Sequence, residues 1–314
     1  MSHLRIVFMG TPSFAVASLE ALLRAKYNVV GVITAPDKPA GRGRSIKQSA
    51  VKECALTHGL NILQPANLKS ESFIQTLKEL NIDLQIVVAF RMLPKVVWSM
   101  PRYGTFNLHA SLLPQYRGAA PINWAIINGE QKTGVTTFFL NENIDEGAII
   151  LQEEIAIGQR QTAGELHDKL MEIGSELVIK TVELISSHQV VPKNQSHDTF
   201  KPAPKLTSEN CKINWSEDVH TVYNHIRGLS PYPLAHTMLK NGNEQIKVLI
   251  HSGNPVLFEH DKKPGSIFIE NRELHVFCSD GYLNIEALKM AGKRLMDVKS
   301  LLNGYAFLND AHFE

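Results

Sequence analysis

The sequence predicts an α/β protein whose first part is a Rossmann-like parallel sheet and whose last part is a small β-barrel. Near the amino end, an apolar strand, a turn, an amphipathic helix and a second strand follow one another, which is the order of a βαβ unit. The apolar segment at residues 84–90 is typical of a strand buried on both faces of a parallel sheet. After residue 206, short strand-like segments are separated by turn residues, as in small barrels.

Within the first βαβ unit, residues 5–9 form a compact apolar strand and residues 10–12 form a turn. Ser13 is predicted to cap a helix that runs to about residue 27, because apolar residues recur there at helical spacing. A strand at residues 28–36 completes the unit, with a right-handed crossover. The Gly-Thr-Pro turn lacks the G-x-G-x-x-G pattern of dinucleotide sites, so a bound dinucleotide is not expected.

The other elements of the first part are predicted from the same periodicities. Helices are expected near residues 50–58, 71–80, 121–129 and 165–186, and Pro121 suits the first position of the third. Strands are expected at residues 105–108, 135–141 and 148–157, of which the last two form a hairpin that ends the sheet. The predicted domain limits are residues 1–188, a linker at 189–205 and a second domain at 206–314.

The second part has short elements throughout. A helix is predicted near residues 219–227, and turn residues such as Asp280-Gly281 separate the strands that follow. The four predicted strand segments read QIKVLIHS, GSIFIE, ELHVFCS and YLNIEALKM.

The composition limits the classes of function. The 314 residues include 32 basic and 31 acidic side chains, so the chain lacks the global positive field of sequence-blind nucleic-acid binders, and local patches would have to hold any RNA. The 3 cysteines are far apart and the 13 histidines show no ligand spacing, so neither disulfides nor a metal are expected. Without a signal peptide or an apolar run of about 18 residues, the protein is expected in the cytoplasm.

The central stretch of the sequence is GTFNLHASLLPQYRGAAP, residues 104–121. Alternation along the predicted strand places Asn107 and His109 on the same face, where both can act on one atom. The strand cannot continue far, because Pro114 lacks a backbone donor and Gly118 has no side chain to pack. The pair therefore lies at the carboxyl end of a strand. An arbitrary pair of this kind is more often a buried Asn and His that tie down a loop.

A third polar group follows another strand-like segment. Asp145 precedes Gly147 in the segment VTTFFLNENIDEGAII. An aspartate at this position can accept a hydrogen bond from the imidazole of His109 and fix its tautomer. The three side chains together suit catalysis better than a loop anchor.

The run NLHASLLPQYRGAAPINW, with IDEG about thirty residues later, resembles the folate-dependent formyltransferases. The resemblance implies that Asn107, His109 and Asp145 are the catalytic trio and that 10-formyltetrahydrofolate is the formyl donor, a co-substrate used without a metal. It is greatest to the members that act on initiator Met-tRNA, and it implies transfer of the formyl group to the α-amino group of that aminoacyl ester. It also implies an OB-like barrel that binds the tRNA body.

Two loops match folate-binding segments of the family. The resemblance implies that one segment lines the folate site, namely Ser111, Leu112, Leu113 and Pro114. It assigns to the pterin ring the loop that contains Phe90, Met92 and Leu93. The sequence departs from the family in this second loop, because the usual glycine after the aromatic residue is missing, Arg91 stands nearby and the loop is one residue short.

Two basic segments are candidate tRNA contacts. The glycine-rich segment at residues 37–52 is expected to project as a loop, and its charge alone favours an ordinary solvated loop. The resemblance instead assigns it to the acceptor end of tRNA, through Arg42 with Arg44 and Lys47 beside it. In the barrel, the candidate residues are Lys289, Lys293 and Arg294. The alternative is that these three side chains are ordinary surface charges.

Other functions fit the sequence less well. Glycinamide ribonucleotide formyltransferases are typically single domains, and a formyl-folate hydrolase is fused to a dehydrogenase for which this chain has no room. Nucleotide-sugar formyltransferases of the lipid-modifying type carry a second dinucleotide-binding domain. A non-catalytic RNA-binding module would not need the trio. No apolar stripe is left over for a second copy, so a monomer is expected.

Overall fold

The computed structural model describes residues 4–40, 45–196 and 200–314. They divide into two compact units. The first contains the described residues of Met1–Gly118, Thr133–Ile155 and His167–Pro202, and the second contains Ala119–Lys132, Ala156–Leu166 and Ala203–Glu314. The domain limits 1–188, 189–205 and 206–314 stay a prediction from sequence.

A seven-stranded sheet forms the centre of the first unit. The strands of this sheet and of a separate two-stranded sheet are, in chain order, β1 (Arg5–Gly10), β2 (Asn28–Ile33), β3 (Lys38–Ala40), β4 (Ser45–Lys47), β5 (Ile62–Leu63), β6 (Leu84–Val88), β7 (Thr105–His109), β8 (Lys132–Phe139) and β9 (Ile149–Ala156). Strands β3 and β4 pair with each other, and the other seven lie in the order β5-β2-β1-β6-β7-β8-β9. The pairs from β5 to β7 are parallel and β7 pairs with β8 antiparallel.

Six helices occur among the described residues up to residue 196, and the fifth of them belongs to the second unit. They are α1 (Ser13–Arg24), α2 (Ala50–Thr57), α3 (Glu71–Glu79), α4 (Lys95–Trp98), α5 (Pro121–Ile127) and α6 (Ala163–Ser186). The prediction that Ser13 caps α1 was wrong, because Pro12 occupies the cap position and Ser13 is the first helical residue. The helix also ends earlier than predicted, since Lys26 adopts a left-handed φ of 59°.

The strand order places a switch point between β1 and β6. The chain leaves β1 towards β2 and β5, and then returns to β6 on the opposite side of β1. In open parallel sheets, ligands bind outside the carboxyl ends of the strands at such a point. The end of β7 lies next to β6 and therefore faces the same edge of the sheet.

The two faces of β7 differ in chemistry. Phe106 and Leu108 are buried on one face, where Leu108 packs against Gly174 of α6 and an added Cβ at Gly174 would lie 2.9 Å from it. Asn107 is in register with Val87 of β6, whose side chain belongs to the apolar cluster formed with α3 and α4. The face that carries Asn107 is thus apolar beside β6 and polar at the end of β7.

The second unit contains a curled antiparallel sheet. Its elements are α7 (Val219–Leu229), β10 (Ala235–Asn241), β11 (Glu244–Leu257), β12 (Ile267–Glu270), β13 (Glu273–Phe277), β14 (Gly281–Met290), β15 (Met296–Asp297), α8 (Val298–Leu302) and β16 (His312–Phe313). The strand order is β12-β13-β14-β11-β10-β16, and β15 pairs with β14. Apolar side chains of α7 and of the sheet share one core. The predicted fold class, a Rossmann-like sheet followed by a small OB-like barrel, is confirmed.

Strand β10 was not predicted from the sequence. Its side chains alternate between buried and half-buried, as in a strand with one face on the core. The segment follows Pro231 and Pro233, which read as loop residues, and its polar side chains weaken the apolar signal. Pairing with β11 along its whole length stabilises it.

Candidate functional site

Asn107 and His109 lie on one face of β7 at its carboxyl end, as predicted from alternation. His109 is buried with 6% exposure, while Asn107 is half-buried. The amide of Asn107 makes no side-chain hydrogen bond to any other residue that the structure describes. It is therefore a polar group that is accessible and has its donors free.

The imidazole of His109 is fixed by a backbone carbonyl. Its Nε2 atom lies 2.8 Å from the carbonyl oxygen of Tyr116. A carbonyl oxygen only accepts, so Nε2 carries a proton and donates it. Nδ1 faces the other way and lies 3.8 Å from Oδ2 of Asp145, a distance too long for a hydrogen bond but within ion-pair range. Tyr116 thus sets the tautomer, and Asp145 supplies a negative charge beside Nδ1.

The carboxylate of Asp145 is held by its own loop. The residue has a left-handed φ of 55°, and its side chain is 16% exposed. Its Oδ2 atom accepts a hydrogen bond of 2.9 Å from the backbone N–H of Gly118. Two residues later, an added Cβ at Gly147 would lie 1.6 Å from the carbonyl oxygen of Phe139, so only glycine fits. The site thus brings together Asp145 and His109, which are far apart in sequence.

A buried polar network lies behind this loop. Gln195 donates hydrogen bonds of 2.8 Å to the carbonyl oxygens of Asp145 and Gly147. Its own side-chain oxygen accepts from Nε and Nη2 of Arg117. Arg117 also pairs with Glu146, at 3.1 Å.

The SLLP turn is tied to β8 through Thr136. The hydroxyl of Thr136 donates to the carbonyl oxygen of Ser111 at 2.6 Å and accepts from the N–H of Leu113 at 3.2 Å. Gln152 donates to that hydroxyl and to the carbonyl oxygen of Leu113, each at 2.9 Å. Ser111 and Leu113 are buried, Leu112 and Pro114 are half-buried, and the Leu113–Pro114 peptide bond is cis. The turn therefore has a fixed backbone beside the predicted folate site.

The loop after β6 departs from the sequence expectation in its details. Ala89 adopts a left-handed φ of 47°, and the half-buried Phe90 packs on the apolar cluster below. Arg91 stacks over the Phe90 ring, 5.7 Å from its centroid, and donates to the carbonyl oxygens that precede α3, at Pro65 and Ala66. Met92 is 68% exposed, whereas Leu93 is 7% exposed and belongs to the core. The side chain of Met92 is therefore exposed to solvent, whereas that of Leu93 is packed in the core.

The predicted tRNA contacts fall into three groups. Arg42 and Arg44 lie outside the described residues. Lys47 is exposed on β4 and is in register with Lys38 of β3. Lys293 and Arg294 are exposed in the turn between β14 and β15, and Lys289 is exposed on β14.

One cluster of metal-ligand side chains occurs among the residues that the structure describes. The ligand atoms of Glu20, Cys54 and His58 lie within 4.8 Å of one another. Burial and the nearby charge of Glu20 raise the pKa of the Cys54 thiol, which keeps the sulfur protonated at neutral pH. The expectation that no metal is bound stays a prediction. All three cysteines are free thiols.

Several residues of the site were missed by the sequence analysis. Tyr116, Arg117 and Gly118 lie in the central stretch of the sequence, Thr136 lies in β8 and Gln195 lies in the connector after α6. Arg117 lies three residues after Pro114, and its position so close to the SLLP turn is the signal that could have indicated it. Gln195 had no such signal, because it stands alone in a connector without periodicity. Over the described part of the chain, no helix is long and apolar enough to span a membrane.

Comparison with known proteins adds to this picture. A family model described as "Formyl transferase" matches residues 4–182, and one described as "Formyl transferase, C-terminal domain" matches residues 205–306. A methionyl-tRNA formyltransferase from Flavobacterium johnsoniae is 54% identical over 312 residues, which cover 99% of each chain. One from Bacteroides fragilis is 52% identical over 308 residues, which cover 96% of this chain and 95% of that one.

A solved structure shares the fold. It is WlaRD, a sugar 3N-formyl transferase in the presence of dTDP and 5-N-formyl-THF, with a TM-score of 0.64 and 20% identity. The match covers 93% of this chain and 99% of that chain. At this identity, the likeness shows the fold alone.

Proposed function

Because this chain belongs to the formyl transferase family, we propose that it transfers the formyl group of 10-formyltetrahydrofolate to the α-amino group of methionyl-initiator tRNA. The product is formylmethionyl-tRNA, which serves translation initiation. The observation that carries the proposal is the position of Asn107 and His109 on one face of β7, with the carboxylate of Asp145 at 3.8 Å from the imidazole. The near full-length relatives named methionyl-tRNA formyltransferase support the choice of acceptor.

The reaction requires two kinds of assistance. A free α-amino group has a pKa of roughly 7.7 to 8.0, and only its neutral form is a nucleophile. Its nitrogen forms a bond to the formyl carbon while the π electrons of the formyl group move to oxygen. When the carbonyl re-forms, the bond from the formyl carbon to the folate nitrogen breaks, and that nitrogen keeps the electron pair and gains a proton. The site must therefore stabilise an oxyanion and move protons.

Asn107 is suited to stabilise the oxyanion. A neutral amide offers two N–H donors and has no proton to lose. Its donors are not used by the described side chains and backbone around it, so they are available for the substrate. One oxyanion donor is typically worth about 2.7 to 4 kcal/mol of activation free energy.

His109 is suited to move protons through Nδ1. The other ring nitrogen is committed to the carbonyl oxygen of Tyr116, so Nδ1 is the atom that gains and loses a proton. The negative charge of Asp145 lies 3.8 Å from Nδ1, beside the atom that accepts the proton. The distance between Nδ1 and the carboxylate is longer than a hydrogen bond. Nδ1 can therefore accept the proton of the attacking amine on the side that faces Asp145.

Binding of the two substrates is assigned as follows. The folate lies against the SLLP turn, Ser111 to Pro114, and against the loop with Phe90 and Met92, while Leu93 contributes backbone groups because its side chain is in the core. The proposed tRNA contacts are Arg42, Arg44, Lys47, Lys293 and Arg294. The protein is further proposed to be a monomer in the cytoplasm. Size-exclusion chromatography with light scattering measures its oligomeric state.

The test is an activity assay with defined acceptors. The purified chain is incubated with 10-formyltetrahydrofolate and initiator Met-tRNA, and formylmethionine is measured after hydrolysis of the ester. Uncharged initiator tRNA, elongator Met-tRNA, glycinamide ribonucleotide and a dTDP-amino sugar serve as competing acceptors. Formylation that requires the charged initiator supports the proposal. Formylation of the ribonucleotide or the sugar instead, or folate hydrolysis without an acceptor, would overturn it.

A further inference from the structure

Gln195 is a buried amide with all of its hydrogen-bonding positions in use. The residue is 7% exposed. Its Nε2 atom donates to the carbonyl oxygens of Asp145 and Gly147, both at 2.8 Å. Its Oε1 atom accepts from Nε of Arg117 at 3.1 Å and from Nη2 at 2.7 Å. An amide has two N–H donors and two acceptor lone pairs, and here each has a partner.

Arg117 links this amide to both members of the His109–Asp145 pair. Its guanidinium is buried, pairs with Glu146 and lies 4.8 Å from the centroid of the Phe200 ring. The backbone on either side of it reaches the catalytic groups. The carbonyl oxygen of Tyr116 accepts from His109, and the N–H of Gly118 donates to Asp145. A shift of Arg117 would therefore move both contacts.

The loop of Asp145 needs this support. A left-handed φ at a residue other than glycine stores backbone strain, and such a conformation persists only where its surroundings hold it. Gln195 holds the carbonyl oxygens of Asp145 and Gly147, two residues apart. Loss of both hydrogen bonds would let the loop relax and carry the carboxylate away from the imidazole.

We propose that Gln195 is a positioning residue for formyl transfer, which, clamped by Arg117, fixes the carboxylate of Asp145 relative to Nδ1 of His109. The proposal rests on the proposed function, because it assigns Asp145 a part in the reaction. Of glutamine and glutamate, which have the same shape, only glutamine can make all four contacts. A glutamate could accept from Arg117, but it has no donor for the two carbonyl oxygens and would place a negative charge against them.

The test is a double-mutant cycle on kcat with Gln195→Glu and Asp145→Asn. In the wild-type background, Gln195→Glu is expected to lower kcat at least tenfold, with less than a twofold change in the KM values for folate and Met-tRNA. In the Asp145→Asn background, the same change is expected to lower kcat less than twofold. Residues that act as one unit show such non-additive effects, whereas general destabilisation adds equally in both backgrounds.

Gln189→Glu is the matched control, because it makes the same chemical change at an exposed position earlier in the same connector. It is expected to leave kcat unchanged. Thermal unfolding of each variant identifies those that fail to fold. If Gln195→Glu does not fold, Gln195→Met replaces it, since methionine has a similar length and removes only the polar atoms.

Two results would overturn the proposal. One is a kcat within twofold of wild type in a folded Gln195 variant, and the other is an equal loss in both backgrounds. Activity of the wild-type protein in the same assay tests the proposed function separately. An active wild type with an additive cycle would therefore refute the role of Gln195 and leave the proposed function standing.

Discussion

At the scale of single residues, the site depends on one backbone carbonyl as much as on side chains. The carbonyl oxygen of Tyr116 accepts a hydrogen bond from Nε2 of His109, 2.8 Å away, and so directs Nδ1 towards Asp145. Asp145 then acts by charge, because 3.8 Å is too long for a hydrogen bond. The carboxylate itself is oriented by the N–H of Gly118. The charge of Asp145 and its shape can therefore be tested separately.

Asp145→Asn tests the charge alone. The asparagine oxygen can still accept from Gly118, but the negative charge beside Nδ1 is lost. We expect kcat to fall about 10²-fold or more, within the range of general acid–base effects, while the KM for folate stays within twofold. Steady-state kinetics with Met-tRNA measure both quantities. Asp261→Asn, at a side chain that is 96% exposed, is the control and should behave as wild type. An Asp145→Asn enzyme with unchanged kcat would contradict the assigned role.

A site residue can be predicted from the sequence only where its position leaves a local pattern. Asn107 and His109 could be placed on one face because strand alternation is a local rule. The contact of His109 with Tyr116 could not, since a carbonyl oxygen is present at every residue and leaves no mark in the sequence. Gln195 was missed because its partners are 48 to 78 residues away along the chain.

At the scale of elements, the SLLP turn takes its shape from strand β8. Thr136 is opposite His109 in the β7–β8 pairing, and its buried hydroxyl contacts Ser111 and Leu113. Its neighbour Thr137 is opposite Leu108, on the other face, and its hydroxyl contacts Thr181 instead. Two adjacent threonines thus make buried hydrogen bonds, and only one of them supports the predicted folate site.

Thr136→Val removes the hydroxyl at nearly constant shape. It leaves buried backbone groups of the turn without a partner, so the free energy of unfolding should fall by about 1 to 3 kcal/mol, and the KM for folate should rise. Thr137→Val is the matched control and should lower stability without raising that KM. Urea unfolding and steady-state kinetics give the two readings. Equal KM values in both variants would show that the turn does not shape the folate site.

The helix cap at Asp218 gives a pH-dependent test in the second unit. Its carboxylate accepts hydrogen bonds from the hydroxyl of Thr221 and then from the backbone N–H of the same residue at the start of α7, and these lower the pKa of Asp218. A lowered folded-state pKa stabilises the fold above the ordinary value of about 3.9, and this contribution is lost as the pH falls through the folded value.

Asp218→Ala should therefore reduce the free energy of unfolding by about 1 kcal/mol at pH 7, with the difference shrinking as the pH approaches 3. Urea unfolding at several pH values measures it, with Asp261→Ala as the exposed control. A difference between Asp218→Ala and wild type that stays constant with pH would mean that the charge of the cap contributes nothing.

Elements with strong periodicity were predictable, and the others were not. The long helix α6 has a sustained helical periodicity and the strand β6 is a short apolar run, and both predictions are confirmed. Strand β10 is half polar and follows two prolines, so its identity depends on pairing with β11, which is a non-local property. The early end of α1 depends on the left-handed φ at Lys26, which no apolar pattern encodes.

At the scale of the whole molecule, a formal net charge of +1 leaves tRNA binding to local contacts. If Lys and Arg side chains contact phosphates, the KM for Met-tRNA should rise at least about tenfold between 50 and 200 mM KCl, because released counterions make binding salt-dependent. The KM for folate should change little.

The double variant Lys293→Ala with Arg294→Ala should reduce the slope of the KM for Met-tRNA against salt concentration. Lys262→Ala, at an exposed position, should leave that slope unchanged. A salt-independent KM for Met-tRNA would contradict phosphate contacts.

The single-turnover rate of formylmethionyl-tRNA formation by Asn107→Ala at saturating folate shows whether formyl transfer takes place at the carboxyl end of β7. Removal of one oxyanion donor should lower this rate by about 10²- to 10³-fold, while the folate dissociation constant stays within twofold. The control is Asn309→Ala, which makes the same change at an exposed position and should match wild type. A rate equal to that of wild type in a folded Asn107→Ala protein would show that the chemistry takes place elsewhere.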